Sequence, residues 1–467
     1  MKKKDTNKQN VCIIGGGLSG LAAGFLLGKK GYRVTIFERE KILGGRALSL
    51  LPQSIGYSDY LSLLSRFKIT VPFSEPNLET IFETNIMDGF QLDLGFHLIG
   101  GGGKYIAGGE YASLGRTIRF LGSPAGIVTE EGYRFPFFSM SDKITLLPRL
   151  FQLLFYFRGS RLRALDTVPM DISLQRFKQD KLKQAFELFS RGMSTVNDLS
   201  QISTGETLRS LSKLLQGANS LSYPLGGLKC ISNAFADSIL AHHGIIVHGS
   251  TVEEIVVENN QVKGVVVDGV FRNFTRVLSS VPVQDLFSII NETHFSSEYA
   301  RHLKQLIPSG GLCAYYCLRK ISNPALLGKS FMFLQKNLGV QGESAFGMID
   351  FKTAFPATGL SPKGRYLVQA YIICTPDEAK KMAVMIRLRE ALDSWMRKVI
   401  VDFDTQLVWV IYPATQRLEG VAKSMVNEKP SIETPINNFY LIGDCMKSPD
   451  IGVNSAVNSA NHVASLL

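Results

Sequence analysis

A glycine motif close to the N-terminus is the feature that most constrains this chain. An apolar run, residues 11–14, precedes three glycines with the spacing G-x-G-x-x-G: Gly15, Gly17 and Gly20. A helix-forming run, residues 21–27, follows. This order predicts a strand, a tight turn and a helix. Gly15 would permit the turn, Gly17 would let the backbone approach a phosphate, and Gly20 would let helix and strand pack closely.

The residues after this motif complete a unit that binds a dinucleotide. Residues 32–37 form a second strand-like run, and Glu38 closes it eighteen residues after Gly20. An acidic residue there accepts hydrogen bonds from the adenosine ribose, and its charge repels the 2′-phosphate of NADP. The helix N-terminus, at Leu18 and Ser19, would offer free N–H groups and a partial positive charge to the phosphates.

A second glycine pair indicates which kind of dinucleotide cofactor this motif would bind. Gly44, Gly45 and Arg46 follow Glu38 by a few residues. Paired glycines bring the backbone against a ligand, and the arginine can form a forked pair with a phosphate or a ribityl oxygen. We assign Arg39, directly after the ribose-binding acid, to the same cofactor site. The pattern E-x-x-x-x-x-G-G-R resembles the FAD-dependent superfamily of phytoene desaturases, carotenoid isomerases, protoporphyrinogen oxidases and amine oxidases.

Three later stretches carry the same resemblance to the end of the chain. They are D-G-F-Q-L-D-L-G at residues 88–95, Y-P-L-G-G-L at 223–228, and F-Y-L-I-G-D at 439–444 with G-V-N-S-A at 452–456. The resemblance is closest to the phytoene desaturase-like side of the superfamily. It implies non-covalently bound FAD, an α/β FAD-binding Rossmann-like domain of the GR2 type, and a second, α+β substrate domain.

The resemblance also implies that both domains are discontinuous along the chain. The FAD-binding domain would take residues 1–50, 223–282 and 425–467, and the substrate domain would take residues 51–222 and 283–424. Residues 51–84 lengthen the usual interval between the G-G-R and D-x-G motifs. This insertion would form a lid, a membrane contact or surface decoration.

Local patterns predict several elements of these domains. Helices are expected over 178–191 and 204–215, and strand-like alternation of apolar and polar residues runs through 311–318 and 366–374. A strand is expected to begin at Val252, whose backbone the resemblance places at the adenine edge. Antiparallel strands roofed by helices are typical of an α+β domain.

The resemblance assigns further cofactor contacts near the C-terminus. Gly443 and Asp444 would lie beside the ribityl and pyrophosphate oxygens. Gly452 and Val453 would present backbone N–H groups to the pyrimidine edge of the flavin. A helix beginning at Ser455 would direct its dipole there and stabilise the reduced ring.

One side chain, His97, is the candidate catalytic group. It lies two residues after Gly95, at the end of a strand expected beside the flavin. A histidine can carry a proton near neutral pH. The alternative is a histidine that hydrogen-bonds the backbone or the cofactor and takes no part in the chemistry.

The net charge and the spacing of the cysteines limit the classes of partner and the cellular compartment that we expect for this chain. The formal net charge is +11, but no nucleic-acid-binding motif accompanies it, so nucleic acid is not expected as a partner. Six cysteines are scattered without paired spacing. This predicts reduced thiols in a cytoplasmic protein and no metal site. Residues 1–10 are polar and lysine-rich, with no signal-peptide core.

Residues 144–163 combine bulky apolar side chains with three arginines, Arg158, Arg161 and Arg163. The apolar part is too short, and too broken by Pro148, for a spanning helix of about 20 residues. Such a segment either lies in the membrane interface or packs in the core of the substrate domain with an arginine-rich end. Both interpretations stay open, so the expected location is the cytoplasm, with or without peripheral membrane contact.

The terminal motif and the composition favour an apolar substrate. The chain has 29 Phe against 2 Trp, and Asp450 and Ile451 precede Gly452, where amine oxidases place an aromatic residue. We therefore expect an oxidoreductase that desaturates, saturates or isomerises a long polyene or isoprenoid, with an unidentified electron acceptor. The alternative activity is porphyrinogen or amine oxidation. The alternative from another class is a lipid- or prenyl-binding escort protein of the same fold.

Overall fold

The computed structural model describes residues 9–156, 158–216, 221–448 and 450–467. The strands in chain order are β1 (Asn10–Ile14), β2 (Arg33–Glu38), β3 (Ser49–Leu50), β4 (Ile69–Glu75), β5 (Leu92–Asp93), β6 (Phe120–Ser123), β7 (Ala125–Thr129), β8 (Gly132–Arg134), β9 (Leu221–Pro224), β10 (Ile245–His248), β11 (Val252–Glu258), β12 (Gln261–Val267), β13 (Val270–Asn273), β14 (Arg276–Ser279), β15 (Gly310–Leu318), β16 (Ser330–Lys336), β17 (Ser344–Asp350), β18 (Tyr366–Cys374), β19 (Leu407–Thr415) and β20 (Phe439–Leu441).

The α-helices in chain order are α1 (Leu18–Lys29), α2 (Tyr57–Arg66), α3 (Leu78–Glu83), α4 (Lys104–Ala107), α5 (Met140–Tyr156), α6 (Ser160–Arg163), α7 (Met170–Leu174), α8 (Asp180–Ser194), α9 (Thr204–Gln216), α10 (Lys229–Ala241), α11 (Ser297–Gln305), α12 (Met382–Val399), α13 (Phe403–Gln406) and α14 (Gly452–Leu466).

The N-terminal motif forms the centre of a parallel sheet. Within the described residues this sheet has the order β10-β2-β1-β14-β20, and Ile13 lies opposite both Ile36 of β2 and Leu278 of β14. Helices α10 and α14 pack against α1, which is buried from Leu18 to Leu27. This order confirms the predicted α/β Rossmann-like fold class. The strands come from separate stretches of the chain, and the discontinuous FAD-binding domain stays a prediction.

A small antiparallel sheet, β11-β12-β13, stands beside the parallel one. The turn between β11 and β12 contains Asn259 and Asn260, with φ angles of 50° and 57°. Asparagine tolerates this left-handed region better than most residues, so the Asn-Asn pair fixes a tight hairpin.

The second large sheet has the order β4-β19-β15-β18-β17-β16-β7-β8 in the described part of the chain. All nine residues of its central strand, β15, are buried. Cys313 and Tyr315 belong to the core shared with the parallel sheet, whereas Ala314 and Tyr316 belong to the core formed with α12. The strand predicted over 311–318 is therefore confirmed, but its residues do not alternate between core and solvent, because both faces of the strand are covered.

The inserted residues 51–84 extend this second sheet. Helix α2 buries Tyr60 and Leu64, and β4 pairs antiparallel with β19, with Ser74 opposite Ile411. Main-chain pairing and a buried apolar face make the insertion an integral part of the domain. The segment is thus more than surface decoration, and its expected role as a lid or a membrane contact stays a prediction.

Helices α5 to α9 form the remaining part of the substrate domain. Helix α8 contacts β16 and β17, and it spans Asp180–Ser194 where the sequence predicted 178–191. It ends at Thr195, whose φ of 56° is left-handed. Over the ranges that the structure describes, no helix combines the length and apolar character needed to cross a membrane.

Candidate functional site

A cavity of about 1250 Å³ lies between the parallel sheet and the eight-stranded sheet. One end is formed by the glycine loops after β1 and β2 and by the N-terminus of α14, at the carboxyl ends of the parallel strands. The other end is formed by α8, α9 and the eight-stranded sheet. Its apolar lining consists of Phe96, Phe137, Phe138, Leu182, Phe186, Phe189, Met193, Leu211, Met332, Phe346, Met348 and Tyr371.

Gly15 and Gly20 of the first loop have the steric roles that their positions predict, and the role of Gly17 stays a prediction. Gly15 has a φ of +100°, which lets the chain turn directly after β1. A Cβ at Gly20 would overlap the carbonyl oxygen of Gly15 and lie 3.2 Å from Cγ2 of Ile13. A Cβ at Gly17 would meet no protein atom closer than 3.8 Å. Gly17 therefore has room for a Cβ in ordinary contact with Gly45, while Gly20 allows α1 to pack closely on β1.

The second glycine pair contacts the first loop directly, and the part of the cavity that lies against this contact forms a slot. Gly44 donates its N–H to the carbonyl oxygen of Gly16 at 2.9 Å. Gly44 and Gly45 have φ angles of +125° and +58°, and a Cβ at Gly45 would lie 3.1 Å from Cα of Gly17. Leu18 and Ser19 open α1 at this slot, and no side chain caps their N–H groups. The slot is a site for an anionic group that approaches the backbone closely.

Glu38 lines the adenosine side of the cavity and also holds the glycine loop. Its Oε2 accepts the N–H of Gly16 at 2.6 Å, and its Oε1 accepts the N–H of Glu40 at 2.8 Å. Burial raises the pKa of Glu38, against the effect of these hydrogen bonds. Arg39 lines the same side and is half exposed, and Arg66 from the insertion forms a forked pair with Glu40 at 2.8 Å.

Arg46, which is partly exposed, and the buried Asp444 are far apart in the sequence and form an ion pair in this cavity. Asp444 also accepts the N–H of Gly420 at 2.7 Å through Oδ2. Burial would raise the pKa of Asp444, but the Arg46 guanidinium outweighs it and holds that pKa below its ordinary value. Arg46, Asp444 and the neighbouring Gly443 all line the cavity, and their predicted cofactor roles stay predictions.

Helix α14 begins at Gly452 and not, as predicted, at Ser455. The reason is a side chain that local sequence does not reveal. Glu419, in the loop after β19, accepts the N–H of Gly452 at 2.8 Å and so caps the first turn of the helix. Val453 is buried in this first turn and lines the cavity, as does Val252 at the start of β11.

Glu419 is the functional candidate that sequence reasoning missed. It is 2% exposed and lines the cavity. Burial, reinforced by the charge of Asp444, raises the pKa of Glu419 to about 7. Lys429 lies 3.6 Å from its Oε1 and donates to the carbonyl oxygen of Asp444 at 2.7 Å. The sequence around Glu419 gave no signal of this role, because the role depends on α14, whose first residue lies 33 positions later.

His97 lines the cavity where the cofactor end meets the apolar end. Its Nε2 lies 2.6 Å from the carbonyl oxygen of Leu94 and 3.0 Å from that of Arg46. Carbonyl oxygens only accept, so Nε2 carries the proton and donates, which leaves Nδ1 as the ring atom able to accept one. Burial lowers the pKa of His97, which favours the neutral form of the ring. Its role as a proton carrier stays a prediction.

The residues at the cofactor end fit a dinucleotide. The slot lined by Gly17, Gly44 and Gly45 has no side chain in it, and the open N-terminus of α1 faces it. Glu38 stands at the predicted ribose side. Among the described residues, no group of three His, Cys, Asp or Glu side chains is placed to hold a metal ion.

Comparison with known proteins agrees with this architecture. Residues 13–56 match a family described as an NAD(P)-binding Rossmann-like domain. An oxidoreductase from Methanosarcina mazei shares the fold with a TM-score of 0.71 and 18% identity, over 98% of this chain and 100% of that one. Putrescine oxidase with bound putrescine shares it with a TM-score of 0.61 and 15% identity, over 98% of each chain. At these identities the likeness is one of fold.

Curated relatives match only a short stretch. The carotenoid phi-ring synthase of Streptomyces griseus is 56% identical over 36 residues, which are 8% of this chain and 7% of that protein. The oxidoreductase YgfK of Escherichia coli is 45% identical over 47 residues, which are 10% of this chain and 5% of that protein. The matched part thus spans less than a tenth of either relative.

The longest family match decides the assignment. Residues 145–467, more than two thirds of the chain, match the family described as flavin-containing amine oxidoreductase. Together with the N-terminal dinucleotide motif, this match establishes FAD as the cofactor, as the resemblance predicted. The chain belongs to the flavin-containing amine oxidoreductase family.

Proposed function

We propose that this protein is an FAD-dependent oxidoreductase that acts on a long apolar polyene or isoprenoid, with FAD held non-covalently. The observation that carries the proposal is the continuity of the cavity. One space joins the glycine slot to the apolar end formed by α8, α9 and the eight-stranded sheet. A ligand in that end gains affinity from buried apolar area.

The distribution of charge in the cavity supports this substrate class. The carboxylates that line it, Glu38, Asp285, Glu419, Asp444 and Asp450, all lie beside the glycine loops or the N-terminus of α14. None of the described lining residues on α8, α9 or the eight-stranded sheet is acidic. An ammonium group would be desolvated there without a counter-charge, which is unfavourable.

The aromatic lining also disfavours an amine held between two rings. Phe96 and Tyr371 are stacked with ring centroids 4.2 Å apart. A slot for a substrate between two rings needs about 7 Å, twice an ordinary carbon contact distance. The fold shared with putrescine oxidase keeps amine oxidation as the alternative activity. The short match to a protein named for a carotenoid agrees with the polyene class.

The bound FAD would supply hydride acceptance, and the chain would orient the substrate and exclude water. Desaturation, saturation and isomerisation of a double bond are all compatible with this arrangement. An escort protein without redox chemistry is disfavoured, because the glycine slot, Glu38 and the Arg46–Asp444 pair are all intact.

The test of the substrate class is anaerobic mixing of the oxidised holoenzyme with candidate substrates. We expect a polyene or isoprenoid to bleach the flavin absorbance, or to be isomerised by the reduced enzyme, and a primary amine and a porphyrinogen to leave the absorbance unchanged. Bleaching by the amine or the porphyrinogen, with no response to any isoprenoid in either redox state, would overturn the proposal. A purified protein without flavin absorbance would support the escort alternative.

We further propose His97 as the proton carrier for this reaction. Replacement by alanine is expected to slow turnover by about 100-fold or more. His97→Gln is the matched control, because the glutamine amide can still donate to the carbonyl oxygen of Leu94 but does not titrate. Equal losses in both variants support proton transfer. Full activity in His97→Gln would show that His97 only positions the backbone through its hydrogen bonds and transfers no proton.

A further inference from the structure

Helix α5 carries an exposed apolar stripe. Met140, Ile144, Phe151 and Phe155 are 72%, 72%, 56% and 70% exposed, and their spacing of four, seven and four residues places them on one face. Tyr156 beside them is 58% exposed. The sequence left open whether residues 144–163 are buried in the core, and this exposure contradicts that interpretation. Aligned large apolar side chains in water mark a surface that binds something.

Cations follow the stripe at its C-terminal end. The guanidinium of Arg158 lies 4.6 Å from the ring centroid of Phe155, and that of Arg161 lies 4.6 Å from the ring centroid of Tyr156. Arg163 follows in α6 and is also exposed. At the boundary of a bilayer, lipid phosphates lie above acyl chains. Arginines that lie above aromatic rings suit this boundary, because the arginines can pair with the phosphates while the rings contact the acyl chains.

The stripe lies beside the apolar end of the cavity. Lys143 on α5 and Phe137 and Phe138, just before it, line the cavity. An ion pair between Asp142 of α5 and Lys181 of α8 joins the two helices, and α8 supplies much of the apolar lining. A molecule that leaves a bilayer at α5 would therefore have a short apolar path into the cavity.

We propose that the stripe on α5, with the arginines of residues 158–163, docks the protein on a bilayer that contains anionic phospholipid, and that the apolar substrate enters the cavity there. The occupant is a lipid surface, because a net charge of +11 favours an anionic surface and opposes association of two copies through an arginine-rich face. The docking stands on the stripe and these arginines, independently of the proposed function. The entry of substrate rests on the proposed function.

Docking is tested by sedimentation of the holoenzyme with vesicles. We expect binding to vesicles of phosphatidylcholine with phosphatidylglycerol, weaker binding to phosphatidylcholine alone, and loss of the difference at high salt. The triple variant R158E/R161E/R163E should bind anionic vesicles at least about 100-fold more weakly, since each basic residue contributes about 1 kcal/mol. Its matched control is K336E/K363E/K381E, which changes three exposed lysines elsewhere by the same charge.

The apolar part of the stripe is tested separately. Phe151→Ser with Phe155→Ser should weaken vesicle binding about tenfold or more, whereas Val270→Ser with Phe271→Ser, an exposed pair on β13, should not. Phe155→Trp places a tryptophan in the stripe, and bromine-labelled lipid should quench the fluorescence of this tryptophan. The two native tryptophans are buried, so their fluorescence should not be quenched. Docking is overturned if the stripe variants bind like their controls.

Entry through the stripe has its own readout. With an isoprenoid dissolved in anionic vesicles, the double serine variant at Phe151 and Phe155 should bleach its flavin more slowly than the wild type. With the same isoprenoid in detergent micelles, the two proteins should react alike. Equal slowing in both media would overturn entry at α5. Vesicle binding without any isoprenoid reaction would preserve the docking and reject the substrate class.

Discussion

Replacing Gly17 with valine is expected to abolish FAD binding and to leave the apoprotein folded. Gly17 has φ −73° and ψ 172°, a conformation that any L-residue adopts. A Cβ there would lie 3.8 Å from Cα of Gly45, an ordinary contact. The valine side chain would instead fill the slot where the pyrophosphate is expected. FAD affinity should fall at least about 100-fold, which corresponds to about 3 kcal/mol.

The chain offers a matched control for this change. Gly56 precedes α2 with φ −76° and ψ 162°, nearly the backbone conformation of Gly17, and a Cβ at Gly56 would meet nothing within 4 Å. Gly56→Val should keep its FAD, whereas Gly20→Val should fail to fold because its Cβ overlaps the carbonyl oxygen of Gly15. The measurements are the flavin released by acid from purified protein, flavin titration of the apoprotein, and thermal unfolding. Wild-type FAD affinity in Gly17→Val would contradict the assignment of the slot.

Features governed by local backbone sterics could be predicted from the sequence. The turn at Gly15 and the close packing at Gly20 follow from two positions in one loop. Strand β18 spans Tyr366–Cys374, as its residue pattern predicted, and β11 begins at Val252 as expected. In each case the deciding interactions lie within a few residues of each other, or on the face of a single element.

Features that depend on distant parts of the chain could not be predicted. The pairing of β4 with β19 joins residues 69–75 to a strand more than 300 residues later. The burial of β15 on both faces needs α12 on one side and the FAD-binding domain on the other. The helix start at Gly452 depends on Glu419. A sequence motif describes neighbours along the chain, and these contacts are made only by the folded protein.

Replacing Glu419 with glutamine is expected to stabilise the apoprotein at neutral and alkaline pH. Burial, with the nearby charge of Asp444, raises the pKa of Glu419 from 4.5 to about 7. A carboxyl group whose pKa is higher in the folded state contributes its full stability below pH 4.5 and loses it as pH rises through 7. Glutamine does not titrate, and its amide oxygen can still accept the N–H of Gly452. The gain in unfolding free energy over the wild type should therefore grow by about 3 kcal/mol between pH 4.5 and pH 8.

A double-mutant cycle with Asp444 tests the cause of this gain. In Asp444→Asn the negative charge that raises the pKa of Glu419 is removed, and Arg46 loses its partner and stabilises the Glu419 carboxylate instead. Glu419→Gln should then stabilise the protein much less at pH 8, or destabilise it. Denaturant unfolding of the four apoproteins at pH 5 and pH 8 measures the coupling. If the gain from Glu419→Gln is the same at both pH values and in both backgrounds, Glu419 is ionised throughout and the proposed balance of buried charges is wrong.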